Sequence, residues 1–267
     1  MCLIVFAWKA HPDYPLILVA NRDELHARPT KDMHWWPDVP GVLAGRDLQA
    51  SGSWLAITKS GRFATVTNYR EAARRRTAPH SRGDFVRDFA AGAERPMPFV
   101  QQLEGGQYAG CSLLASDGDE LVYWSNRGDQ PRQLDPGIYG LSNASLDTPW
   151  PKLVRTRDRL AAVVAENNPS LTTLFRIVAD KKPVPATEVI ADELPFELAR
   201  ALSAPFIVTP EYGTRCSTAL LIGANGLIEV GERRFNSAGE RNGDSLFSFS
   251  IDRSTVAGSA GFRAGPP

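Results

Sequence analysis

The chain opens on an almost unbroken apolar run, Cys2-Leu3-Ile4-Val5-Phe6-Ala7-Trp8, the pattern of a strand covered on both faces. His11-Pro12-Asp13-Tyr14-Pro15 supplies turn chemistry. Leu16-Ile17-Leu18-Val19-Ala20 then resumes the run and passes directly into Asn21-Arg22-Asp23-Glu24. A buried antiparallel hairpin is expected, which sets the start of its first strand beside the end of its second. Cys2 thereby comes next to the four polar residues despite their separation in sequence.

Further hairpins follow the same logic. Ser53-Trp54-Leu55-Ala56-Ile57-Thr58 and Arg62-Phe63-Ala64-Thr65-Val66-Thr67 flank a Ser60-Gly61 turn, and the second of these ends on Asn68. Cys111 to Leu114 and Leu121 to Trp124 are joined through Ser116-Asp117-Gly118-Asp119. Ser217 to Ile222 and Gly226 to Val230 are joined through Gly223-Ala224-Asn225. Short strands are expected at Gly41 to Gly45 and at Gly137 to Asn143, and Leu246 to Ile251 alternates with period two. Arg28-Pro29 to Trp35-Trp36-Pro37 reads as a loop.

Helical spacing is found in three places. Ser81 is placed to cap a helix with the face Phe85, Val86 and Phe89. Asp147-Thr148-Pro149 announces a helix with the face Val154, Leu160, Ala161 and Val164, and a further helix covers Leu171 to Ala179. Short helical pieces are expected after Pro96 and around Phe196 to Leu202, the latter inside a proline-rich excursion from Lys181 to Pro210. Hairpins alternating with covering helices give one α+β domain of antiparallel sheets over residues 1–253. A small, polar tail over 254–267 is expected to be disordered.

With 267 residues, 43% hydrophobic and 22% charged, the chain has the make-up of an ordinary globular protein. Thirty basic side chains balance thirty acidic ones, so no global charge draws it to nucleic acid or an anionic membrane. No run reaches the length of an integral membrane span, and the opening run lacks the flanks of a signal peptide. Cys2, Cys111 and Cys216 are odd in number and widely spaced, against a disulfide framework; a reducing, cytoplasmic setting is expected. His11, His26, His34 and His80 show no metal-ligand spacing.

The candidate chemistry gathers at Cys2. Removal of Met1 gives it a thiol and a free α-amine on one carbon, a nucleophile with its own base. Polar residues close several strands where they can reach it: Asn21, Arg22 and Asp23, then Asn68, Asn143 and Arg215. Asparagines supply neutral donors for a developing oxyanion, and Asp23 an acceptor for the amine. Asn21 and Glu24 flank this pair as substrate contacts. Arg70, followed by Arg74-Arg75-Arg76, is either a solvated basic loop or a hold for an anionic group. Trp35 and Trp36 either line an apolar pocket or pack their own loop.

Met1-Cys2-Leu3-Ile4, Asn21-Arg22-Asp23-Glu24, Val66-Thr67-Asn68-Tyr69-Arg70, Gly140-Leu141-Ser142-Asn143-Ala144 with Asp147-Thr148-Pro149-Trp150 and Lys152, and Tyr212-Gly213-Thr214-Arg215 together resemble the NRDE family, also called the transport and Golgi organisation 2 family. The resemblance runs from residue 1 to about residue 250. It implies a four-layer αββα sandwich of the N-terminal nucleophile hydrolase type. More distantly, the chain is similar to cysteine amidases of the penicillin V acylase and bile salt hydrolase type, although their arginine and aspartate are three apart where Arg22 and Asp23 are adjacent. That likeness implies Cys2 as nucleophile, Arg22 and Asp23 as partners of amine and thiol, Asn68 and Asn143 as oxyanion donors and Arg215 in a basic role near the thiol. The ligand is then a small molecule, an amide or thioester cleaved without a cofactor. The family resemblance also implies an alternative, a non-enzymatic carrier of haem, lipid or acyl-coenzyme A on the same fold.

Overall fold

The computed structural model describes residues 2–71, 78–128, 130–191 and 194–252. In chain order the strands are β1 (Cys2–Trp8), β2 (Leu16–Leu25), β3 (Thr30–Trp35), β4 (Val42–Asp47), β5 (Leu55–Thr58) and β6 (Phe63–Asn68). Helices α1 (Gly83–Ala91) and α2 (Pro96–Gln101) precede β7 (Cys111–Ser116), β8 (Leu121–Ser125), β9 (Arg132–Gln133) and β10 (Gly137–Leu141). Helices α3 (Pro151–Ala165), α4 (Leu171–Val178) and α5 (Phe196–Ala201) lead to β11 (Tyr212–Ile222), β12 (Leu227–Phe235) and β13 (Arg241–Ser250).

Two antiparallel sheets result. The first has the order β10-β1-β2-β11-β12-β13 and the second β3-β4-β5-β6-β7-β8-β9. The unbroken apolar run of β1 now has its reason. Ile4, Phe6 and Trp8 enter the core between the sheets, with Leu43, Ile57, Phe63 and Leu114 opposite. Leu3, Val5 and Ala7 point the other way, against Leu153, Leu160, Leu174 and Phe175 of α3 and α4. On the far side Ala56, Ala64, Leu113 and Val122 meet Phe85, Val86 and Phe89 of α1. The layers run α3/α4, sheet, sheet, α1/α2: the αββα sandwich. Burying each large apolar side chain contributes about 1.5–3 kcal/mol, and strands covered on both faces draw that from every position.

Several expectations are corrected. The Asn21 to Glu24 tetrad lies inside β2 and not beyond it, because β11 pairs with it along its whole length. The stretch expected as a loop contains β3, an edge strand whose Lys31 and Asp32 face solvent, so no apolar period announces it. Helix α3 starts at Pro151, with Asp147 held back at φ 59° and its carboxylate accepting from the Gly140 N–H at 2.8 Å. Its buried face is Lys152, Leu153, Thr156, Leu160 and Val163, so only Leu160 of the expected face points fully inward. The arginine run Arg74-Arg75-Arg76 and the tail over 254–267 lie outside the described residues.

Candidate active site

The hairpin places Cys2 directly opposite Arg22, which in turn faces Cys216 on β11. Side chains alternate along a strand, so Arg22 shares the inter-sheet face with Cys2 while Asn21 and Asp23 flank it on the other. Arg22 is buried. Its guanidinium lies 4.2 Å over the Trp54 ring, donates to Thr30 Oγ1 at 3.2 Å and approaches Asp47 at 3.9 Å. Cys2 keeps partial exposure. Burial raises the thiol above its ordinary value, the negative charge of Asp23 adds to that rise, and the charge of Arg22 acts against it.

Asp23 is 2% exposed. Thr214 Oγ1 donates to its Oδ1 at 2.7 Å, and the Tyr212 hydroxyl donates to its backbone carbonyl at 2.8 Å. Burial pushes its carboxyl up to about 6, with Lys152 and Arg22 pulling the other way. Lys152, in the first turn of α3, is itself 6% exposed and donates to the Leu202 carbonyl at 3.0 Å. Burial lowers its pKa, and Asp23 opposes that shift.

The two asparagines take different places. Asn68, at the end of β6, lines the cleft that Cys2 opens on. Asn143 does not line it; its Nδ2 donates to the Asn68 carbonyl at 3.0 Å, and its φ of 58° is one that asparagine tolerates better than most residues. Ser142 Oγ, within hydrogen-bond distance of the Cys2 carbonyl (3.0 Å) and of Asn143 Oδ1 (3.2 Å), ties this corner to the start of β1. Asn143 is thus placed to hold Asn68 where Asn68 faces Cys2.

The cleft has a volume of about 90 Å³ and is lined by Cys2, Arg22, Asp23, Glu24, Asn68 and Arg82, among others. Glu24 sits there as expected. Arg215 does not: the bulge between Thr214 and Cys216 turns it aside, and its guanidinium donates to the Leu25 and Arg28 carbonyls at 2.7 and 3.1 Å. The cations at the cleft are Arg22, Arg28 and Arg82 instead. Asn21 is spent elsewhere, donating to the Val178 and Pro205 carbonyls and accepting from Ser217. Arg70 lines a separate cavity of about 30 Å³ with Asn143, Trp150, Lys152, Val184 and Leu202. Trp35 packs against Phe247 and Phe249, and Trp36 is buried with its indole N–H on the Ala44 carbonyl; neither lines the cleft.

Trp54 was not singled out from the sequence as a site residue, and Ser142, Lys152, Tyr212 and Thr214 only as parts of motifs. For Lys152 a further signal was a lysine at the start of an apolar helix face. Among the described residues no group of His, Cys, Asp or Glu is arranged to hold a metal ion. A haem held through histidine needs that ring at a cavity, and none of the four histidines lines the cavities at Cys2. Among the described residues no helix is long and apolar enough to cross a membrane.

The Transport and Golgi organisation 2 family model matches residues 1–237. The Transport and Golgi organization protein 2 homolog of Bos taurus is 33% identical over 256 residues, covering 87% of this chain and 92% of that protein. The Transport and Golgi organization protein 2 of Drosophila melanogaster is 36% identical over 196 residues, covering 65% and 69%. Among solved structures, the mutant C2A conjugated bile acid hydrolase from Clostridium perfringens matches with a TM-score of 0.54, covering 97% of this chain and 94% of that one. At 8% identity that likeness concerns the fold alone.

Proposed function

Given that the chain belongs to the Transport and Golgi organisation 2 family and has a fold of the N-terminal nucleophile hydrolase type, we propose that Cys2, freed by removal of Met1, is the nucleophile of an amide- or thioester-cleaving reaction. The observation that carries this reading is the convergence on one cleft of a partly exposed Cys2 thiol, the buried carboxylate of Asp23 and Asn68. The name of the structural neighbour supports it, being that of a hydrolase studied as its C2A mutant.

The steps follow from the placement. The Cys2 thiol passes its proton to the α-amine, and the sulfur attacks the substrate carbonyl. The oxyanion receives the side-chain amide of Asn68, held in place by Asn143. Asp23 holds the α-ammonium, which then protonates the departing nitrogen or sulfur. Water, activated by the same amine, cleaves the S-acyl bond, releasing the carboxylic acid and the thiol.

The test is intact-mass measurement of Met1-free protein mixed with a simple acyl thioester. A single acyl adduct is expected on the wild-type chain and none on Cys2→Ala. An unmodified wild-type chain whose Cys2 still reacts with iodoacetamide would overturn the reading.

A further inference from the structure

Cys2, Arg22, Trp54 and Val66 line two cavities at once. One is the polar cleft. The other is a recess of about 10 Å³ walled also by Ile4, Ala20, Asn21, Thr65 and Thr218. Ile4 and Ala20 belong to the core between the sheets, and Ile4, Ala20 and Thr218 stand in one register row across β1, β2 and β11. Ala20 keeps 7% exposure, whereas Ile4 keeps 1% and Leu18, two residues back on the same face, has none. Space therefore reaches in between the sheets at this point.

A carbonyl carbon attacked by the Cys2 sulfur carries two arms, and the site has two unlike places for them. The departing arm must take up a proton and leave, which requires the side open to solvent. That side is the cleft, whose three arginines, Arg22, Arg28 and Arg82, are matched by Asp23, Glu24 and Asp47. Such a lining suits a polar group carrying both donors and acceptors. The remaining arm faces the apolar recess. At about 10 Å³ against about 90 Å³ for the cleft, the recess is the narrower of the two and suits the smaller arm.

We propose that the recess is the acyl subsite, and that Cys2 takes up acyl groups of about acetyl size from a polar amine or thiol. This rests on the hydrolase reading above and adds the size and direction of the substrate. The sulfur–carbon bond forms as the carbon–nitrogen or carbon–sulfur bond to the departing group breaks. The α-ammonium supplies the proton that group takes away, and water later releases a short carboxylic acid.

The experiment compares acetyl, butyryl and hexanoyl thioesters of N-acetylcysteamine as acyl donors to Met1-free protein, reading the initial rate of Cys2 acylation by intact mass. Overfilling a packed site by one methylene changes rates by about tenfold or more, so the rate is expected to fall at least about tenfold from acetyl to butyryl and further to hexanoyl. Ala20→Val fills the recess and is expected to slow acetylation about tenfold while alkylation by iodoacetamide from the cleft persists. Ile4→Val widens it and is expected to raise butyryl relative to acetyl. A rate that is flat or rises with chain length, or acetylation unaffected by Ala20→Val, overturns the inference and leaves the hydrolase reading standing. Should circular dichroism show Ala20→Val unfolded, an unchanged butyryl-to-acetyl ratio in Ile4→Val overturns it. Absence of acylation at every length, with alkylation intact, overturns both.

Discussion

Asp23 carries a charge that its burial makes costly. Burial raises its carboxyl from 3.8 to about 6, so the folded chain holds this proton more tightly than the unfolded one. Between about pH 4 and pH 6 the folded state then binds more protons, and stability falls as pH rises through that window and stays lower above it. The difference corresponds to about 3 kcal/mol. Asp23→Asn keeps the size and an acceptor for Thr214 but never ionises. It is expected to be more stable than wild type by up to about 3 kcal/mol at pH 7 and by nearly nothing at pH 4. Its Cys2 acylation is expected to drop more than about tenfold. Urea unfolding at the two pH values decides it: an equal stability difference at both would mean that the carboxyl titrates as an ordinary one.

At the scale of elements, β2 divides its work by side. Arg22 goes to the cleft, and the preceding Asn21 ties three elements together behind the sheet. Its Nδ2 serves the Val178 carbonyl, one of the last acceptors of α4 that the helix cannot satisfy itself, and the Pro205 carbonyl, both at 2.9 Å. Its Oδ1 accepts from Ser217 of β11 at 2.6 Å. Asn21→Ala leaves those buried groups without their partner and is expected to cost about 2–4 kcal/mol of stability. Where the variant is folded, its KM for an acyl thioester should match wild type, since the side-chain amide is held behind the sheet by Val178, Pro205 and Ser217. A severalfold rise in KM would restore Asn21 as a substrate contact. Of the tetrad read from the sequence as one cluster, Arg22, Asp23 and Glu24 line the cleft, whereas the side chain of Asn21 is engaged behind the sheet.

Taken whole, the molecule was legible in the sequence wherever burial imposed a period. The unbroken runs of β1 and β2 announced strands covered on both faces, and the hairpin between them brought Cys2 to Arg22. What escaped depends on contacts the sequence does not encode locally. Edge strand β3 has too little buried surface to show a pattern, the bulge that turns Arg215 aside lies in the pairing of β11 with β2, and Asn143 gives its amide to a carbonyl 75 positions earlier. The position of Cys2 follows the same rule. β1 is an interior strand, flanked by β10 and β2 in a sheet that also takes in β13 from near the other end of the described chain. Its place is therefore fixed by pairing along its length, and residues added before Cys2 should leave the sandwich standing. The proposed chemistry, by contrast, needs the α-amine on Cys2 itself. A chain carrying a short Gly-Ser extension before Cys2 is expected to unfold in urea within about 0.5 kcal/mol of the processed chain, yet to acylate at least about a hundredfold more slowly, the usual worth of a positioned acid–base group. The thiol is present in both, so equal acylation rates would show that the amine takes no part.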